Sequence, residues 1–142
     1  SKTVYDPDLA HLMTGMMARV VQAGTGTGAR LADRQAAGKT GTSSDWRDAW
    51  FIGYTADFTT GVWVGYDDNS EMQHVSGATL PSTIWRSYMT AASKGLPARP
   101  LRGYELPARP DSDFQLATFY DALSKAFGFG DDRKDEPKDI MR

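Results

Sequence analysis

The stretch that decides the fold begins Ala37-Gly38-Lys39-Thr40-Gly41-Thr42 and continues Ser43-Ser44-Asp45-Trp46-Arg47-Asp48. It then reads Ala49-Trp50-Phe51-Ile52-Gly53-Tyr54, breaks at Thr55-Ala56-Asp57-Phe58, and resumes as Thr60-Gly61-Val62-Trp63-Val64-Gly65-Tyr66. Three extended segments are joined by two short polar breaks, the pattern of an antiparallel meander. The middle segment is apolar on both faces and rich in aromatic and β-branched residues, which predicts the central strand. The first segment groups Lys39, Thr40 and Thr42 around Gly41.

On either side of the meander the period changes to that of helices. Asp6 caps and Pro7 opens a helix that runs to Gly24. Its apolar positions are Leu9, Leu12, Met13, Met16, Met17, Val20 and Val21, one face at helical spacing. Gly24 is expected to take a left-handed cap. Gly24-Thr25-Gly26-Thr27-Gly28 superficially resembles a phosphate loop. Here a helix precedes the glycines, whereas phosphate loops follow a strand and open a helix, so the run reads as a helix exit. Asp67 to Glu71 is a solvated turn, because it lacks the alternating acidic spacing of a calcium loop. Gly77 precedes a second helix with Pro81 near its start and Ile84, Trp85, Tyr88, Met89 and Ala92 at helical spacing; Gly95 and Pro97 close it. The segment 1–95 is therefore expected to be helix, three-stranded meander and helix. The segment 96–142 is expected to be a proline-rich and charged tail, since Leu-Pro-Ala-Arg-Pro occurs at both 96–100 and 106–110. A short amphipathic helix is expected there around Leu116, Tyr120, Leu123 and Phe127.

With 142 residues the chain can bury one modest core. A net charge of −2 gives no basis for nucleic-acid binding. The absence of cysteine excludes disulfides, thiolate metal sites and a cysteine nucleophile. No cofactor or metal ligand set is expected. No apolar run approaches the ~20 residues needed to span a bilayer. The chain begins Ser1-Lys2-Thr3, without an initiator methionine or signal peptide, and is read as a piece of something longer.

Lysine and hydroxyls on a strand suit an anionic ligand. The ammonium supplies positive field, the threonines donate hydrogen bonds to a carboxylate, and the strand can present a backbone N–H to a developing oxyanion. The alternative is a surface strand with one solvated lysine. Arg47-Asp48 reads as a structural ion pair. Trp50 reads as core or rim packing, and Trp46 is open to lining a groove. His11 and His74 lack a Gly-x-Ser-x-Gly elbow that would make either part of a triad.

Lys39-Thr40-Gly41-Thr42 matches the Lys-Thr-Gly motif of penicillin-binding proteins and serine β-lactamases. With Asp45 to Thr55 and Thr60 to Asp67 following, the chain resembles the C-terminal part of the transpeptidase domain of class A penicillin-binding proteins. The flanking helices share the resemblance, which covers about two-thirds of the chain. It implies an α+β fold: an antiparallel sheet flanked by helices, of the β-lactamase-like kind. It implies acyl-serine chemistry on peptidoglycan stem peptides ending in D-Ala-D-Ala, blocked by β-lactams. It assigns Lys39 to polarise the serine, the Thr40 and Thr42 hydroxyls to the substrate carboxylate, and the Thr42 N–H to the oxyanion hole; from the residues themselves, Gly41 leaves room for substrate along the strand and Trp46 is a candidate to line its groove. The family's Ser-x-x-Lys and Ser-x-Asn do not occur in this sequence. The chain is therefore expected to need a complementing upstream segment that carries both, and to be inactive alone. The resemblance further implies a periplasmic site in a membrane-anchored parent that also bears a glycosyltransferase domain. A D,D-carboxypeptidase, a β-lactamase or a noncatalytic partner-binding module are the alternatives.

Overall fold

Pro7 opens the first helix because its missing N–H falls where no helical partner exists, and the Asp6 carboxylate accepts from the Asp8 N–H at 2.8 Å. In the computed structural model, which describes residues 5–105, this helix is α1 (Pro7–Ala23). A meander follows, β1 (Ala37–Thr42), β2 (Asp48–Tyr54) and β3 (Thr59–Gly65), and then α2 (Leu80–Ala92). The sheet is antiparallel with β2 central, as its two-sided apolar pattern predicts. Thr40 faces Phe51, which faces Val62; Lys39 faces Ile52, which faces Gly61; Gly41 faces Trp50, which faces Trp63.

Side chains alternate between the sheet faces, so this register sorts them. One face, called inner here, carries Ala49, Phe51, Gly53 and Val62. α2 lies across it. Phe51, Trp85 and Met89 are fully buried there with Val21, Ala29 and Ala36. The Phe51 and Trp85 rings meet edge to face with centroids 5.3 Å apart. The Trp85 indole N–H donates to the Thr60 carbonyl at 3.0 Å, so the largest buried side chain leaves no orphaned donor. The other, outer face carries Lys39, Gly41, Trp50, Ile52 and Trp63. Ile52 is 52% exposed and each tryptophan 43%. Ala37 is buried and Tyr54 half-buried at one end of this face, where the Tyr54 hydroxyl donates to Thr14 of α1 at 3.0 Å.

Several expectations shift. β2 begins at Asp48 and β3 at Thr59, one residue earlier than their apolar runs suggest. Gly24 is extended, with φ −108°, not left-handed. The chain instead folds tightly over the last helical turn, and both Gly24 and Gly26 donate to the Val20 carbonyl. α1 is buried most deeply along Gly15, Ala18 and Val21, whose small side chains allow close packing, while Met13 is exposed. On α2, Trp85 and Met89 face the core but Ile84 and Tyr88 lie in solvent.

The segment after residue 95 is not a free linker where it is described. The compact unit holding the sheet runs to Leu106. The Arg34 guanidinium donates to the Ser93 and Leu96 carbonyls, capping the end of α2. Arg99 donates to Asp57 in the β2–β3 turn, and the Leu101 N–H donates to the Gln35 side chain at 2.7 Å. Gly103, at φ +77°, lies against the His11 backbone. These anchors lie 42 and 66 residues upstream of the groups they hold, and proline density cannot reveal contacts of that kind. The helix expected around Leu116 to Phe127 lies outside the described residues.

Candidate active site

β1 is an edge strand, and that is what makes its functional groups available. The Ser43 N–H donates to the Asp48 carbonyl at 3.0 Å. Hydrogen-bonded pairs alternate in an antiparallel ladder. Gly41 and Lys39 therefore direct their backbone groups at β2, and Thr40 and Thr42 direct theirs at the open edge. Among the described residues no strand pairs with that edge. The N–H of Thr42 thus lies where a substrate backbone or an oxyanion could receive it.

Strand alternation separates the motif's side chains between faces, with Lys39 on the outer face and Thr40 and Thr42 on the other. The lysine's length undoes part of this separation. Its Nζ reaches round the edge to the Thr40 carbonyl at 2.9 Å and the Thr40 hydroxyl at 3.4 Å. The Thr40 hydroxyl also shares a 2.8 Å hydrogen bond with that of Thr25. Thr25 belongs to the Gly-Thr-Gly exit of α1, which reads as a connection in the sequence but delivers a hydroxyl to the motif. Thr42 is exposed, and its Oγ1 accepts from the Gly77 N–H at 3.1 Å. Thr40 is thus already engaged by Thr25, and Thr42 offers the more open hydroxyl.

Beyond Thr42 the chain makes a short 3₁₀ turn, Ser44–Trp46, in which Asp45 and Trp46 have φ of 57° and 50°. Left-handed backbone is uncommon for residues other than glycine, and here it turns Trp46 outward. The tryptophan is 40% exposed and stands edge to face with His74, centroids 4.5 Å apart. His74 belongs to the loop between β3 and α2, and also has positive φ. Trp46 therefore sits next to the motif strand, paired with a residue that the sequence offered only as a weak triad candidate. No hydrogen bond joins His74 to His11 or to a serine among the described residues.

Arg47 does not pair with Asp48. It bonds Glu71 at 3.1 Å and donates to the Asn69 carbonyl. Asp48 instead accepts from the Trp63 indole N–H at 2.9 Å across the sheet. Residue 47 therefore ties the β1–β2 connection to the 66–79 loop. In that loop the Ser70 hydroxyl and N–H hold the Asp68 carboxyl below the usual carboxylate range.

Comparison with known proteins fits this geometry. The family model for the penicillin binding protein transpeptidase domain matches residues 1–90. The chain belongs to that family. Penicillin-binding protein 1A of Aquifex aeolicus is 42% identical over 93 residues, which are 65% of this chain and 12% of that protein. Penicillin-binding protein 1A of Neisseria lactamica is 40% identical over 104 residues, 72% of this chain and 13% of that protein. The crystal structure of penicillin-binding protein 1A from Haemophilus influenzae superposes with a TM-score of 0.56 at 26% identity, covering 69% of this chain and 16% of that one. The chain therefore spans about an eighth of the length of the Aquifex and Neisseria relatives.

Proposed function

We propose that this chain supplies the carboxylate-binding strand of a peptidoglycan D,D-transpeptidase. The serine nucleophile comes from a segment bearing Ser-x-x-Lys and Ser-x-Asn. The observation that carries this reading is the edge position of Lys39 to Thr42, within a transpeptidase-family fold, with the Thr42 N–H and hydroxyl both open.

In the reaction the serine hydroxyl oxygen attacks the carbonyl of the penultimate D-alanine. The terminal D-alanine leaves as the free amino acid, and an amine of a second stem peptide then takes the acyl group from the serine. Lys39 holds positive field at the strand edge and polarises the incoming serine hydroxyl. The Thr42 hydroxyl, with Thr40 beside it, donates to the terminal carboxylate, and the charge on that acceptor makes the hydrogen bonds stronger. The Thr42 N–H supplies half of the oxyanion hole, and a donor of this kind is worth about 2.7–4 kcal/mol at the transition state. Gly41 leaves room for substrate along the strand, and Trp46 borders it. Penicillins present the same carboxylate beside a reactive carbonyl and acylate the same serine.

The outer sheet face supports the two-part arrangement. Ile52 lies exposed in the row of Lys39, and Trp50 and Trp63 in the adjoining row of Gly41. A covering layer that brings the serine to Lys39 would also bury them. The site would face the periplasm in a membrane-anchored parent that also carries a glycosyltransferase domain.

Acylation by fluorescent penicillin tests this reading. In the complex of this chain with the serine-bearing segment, Lys39→Ala should cut the acylation rate by about a hundredfold or more, the scale of losing one electrostatic contact in a preorganised site. Circular dichroism should stay unchanged, since Lys39 is exposed. An unchanged acylation rate would remove Lys39 from the site.

A further inference from the structure

The loop between β3 and α2, residues 66–79, is not part of the Lys-Thr-Gly motif, yet it meets the motif strand at two places. Gly77 is buried against β1 and β2, and its N–H donates to the Thr42 hydroxyl oxygen at 3.1 Å. A hydroxyl oxygen that accepts from one side directs its own proton elsewhere. The Thr42 hydroxyl thereby keeps its own proton for another acceptor. The contact admits nothing larger than glycine, because a Cβ there would stand 2.7 Å from the Gly41 carbonyl oxygen and 2.8 Å from the Gly41 nitrogen. The second meeting is the aromatic pair, in which His74 stands against Trp46 and the Met72 N–H donates to the Trp46 carbonyl at 3.2 Å. Met72 is buried and anchors the loop at that point.

We propose that Gly77 and His74 are positioning residues of the transpeptidase site. Gly77 orients the Thr42 hydroxyl toward the substrate carboxylate, and His74 holds Trp46 as the wall against which the acyl donor's side chain lies. The inference rests on the assignment of Lys39 to Thr42 as the carboxylate-binding strand. Neither residue touches substrate; each acts through its neighbour. The 66–79 loop therefore borders the motif strand at Thr42 and at Trp46.

The test is the acylation rate of the two-part complex with two penicillins, one with an aromatic side chain and one reduced to the side-chain-free nucleus. Thr42→Val and Gly77→Ala should each slow acylation by about tenfold, the cost of losing or misdirecting one hydrogen bond to a charged group. In the double variant the loss should exceed either single loss by no more than about twofold, since both remove the same donor. Fully additive losses overturn the role of Gly77. His74→Ala should slow acylation by the aromatic penicillin about fivefold more than by the bare nucleus, on the scale of one aromatic contact. His74→Phe, which keeps the ring, should restore the wild-type rate with the aromatic penicillin. Equal effects on the two penicillins, or no effect, overturn the role of His74. If Gly77→Ala fails to fold by circular dichroism, the exposed His74 variants decide the proposal. A wild-type complex that does not label overturns the function itself and this inference with it. A labelling wild type with unaffected variants overturns only the inference.

Discussion

The two faces of the sheet carry comparable apolar side chains and are treated in opposite ways. On the inner face Phe51 and Ala49 are fully buried beneath Trp85 and Met89, and the indole N–H of Trp85 is satisfied by Thr60. On the outer face, in the rows that contain Lys39 and Gly41, Trp50, Ile52 and Trp63 remain about half exposed. Two tryptophans at such positions are more than scattered surface apolars, because they face one another across paired strands at 6.3 Å. The inner face is what folds the chain. The outer face, with Lys39 at its edge, is where the proposed chemistry would be assembled.

The sharpest way to break this contrast is to remove the keystone of the closed face. Trp85→Ala should cost about 3–5 kcal/mol, the usual range for emptying an aromatic site in a core. It should be read as a lowered urea midpoint followed by the fluorescence of the remaining tryptophans. A midpoint within error of wild type would mean that α2 does not hold the sheet.

Two glycines on β2 and β3 give a subtler comparison. A Cβ on Gly53, on the inner face, would stand 2.8 Å from Phe51 and 3.0 Å from Trp85. Gly53→Ala should therefore overpack the core and cost about 1–3 kcal/mol. On the outer face a Cβ on Gly61 meets only Ile52, at an ordinary 3.7 Å. Gly61→Ala should change stability by no more than about 0.5 kcal/mol. Equal penalties at the two positions would erase the difference in packing between the faces.

The smallest effect lies at the far end of the sheet from Thr42. There the hydrogen bonds from Arg34 hold the Asp33 carboxyl below its ordinary range. A lowered folded-state pKa contributes stability that is present above the unfolded value and is lost as pH falls through the folded one. Asp33→Asn should thus lower the urea midpoint slightly at neutral pH and flatten its decline below about pH 4. An unaltered acid limb would show that the contact with Arg34 is lost to solvent.

Much of this was legible in the chain itself. β1 occupies Ala37–Thr42 as its residues predict, β2 is central because Ala49 to Tyr54 is apolar on both sides, and Asp6-Pro7 starts α1. These are local signals of period and capping. What was not legible depends on long-range placement. Thr25 reaches Thr40 from 15 residues away and Gly77 reaches Thr42 from 35, and no spacing rule announces either. Ile84 and Tyr88 fit the helical period of Trp85 and Met89, yet periodicity does not say how wide a stripe the core will accept. The Leu-Pro-Ala-Arg-Pro of residues 96–100 reads as linker, but Arg99 meets Asp57 in a turn fixed by the sheet. The motif lysine and threonines alternate in direction, and the length of the Lys39 side chain, not its position in the sequence, brings it to Thr40.

The residue to which a penicillin becomes attached decides whether this chain is one half of the site. This chain and a segment carrying Ser-x-x-Lys and Ser-x-Asn should be incubated with fluorescent penicillin, separately and together, and the labelled peptide located by mass spectrometry. No label should appear on this chain under any condition, and the serine of the other segment should be labelled only when both are present. A covalent penicillin on any residue of this chain would contradict this arrangement.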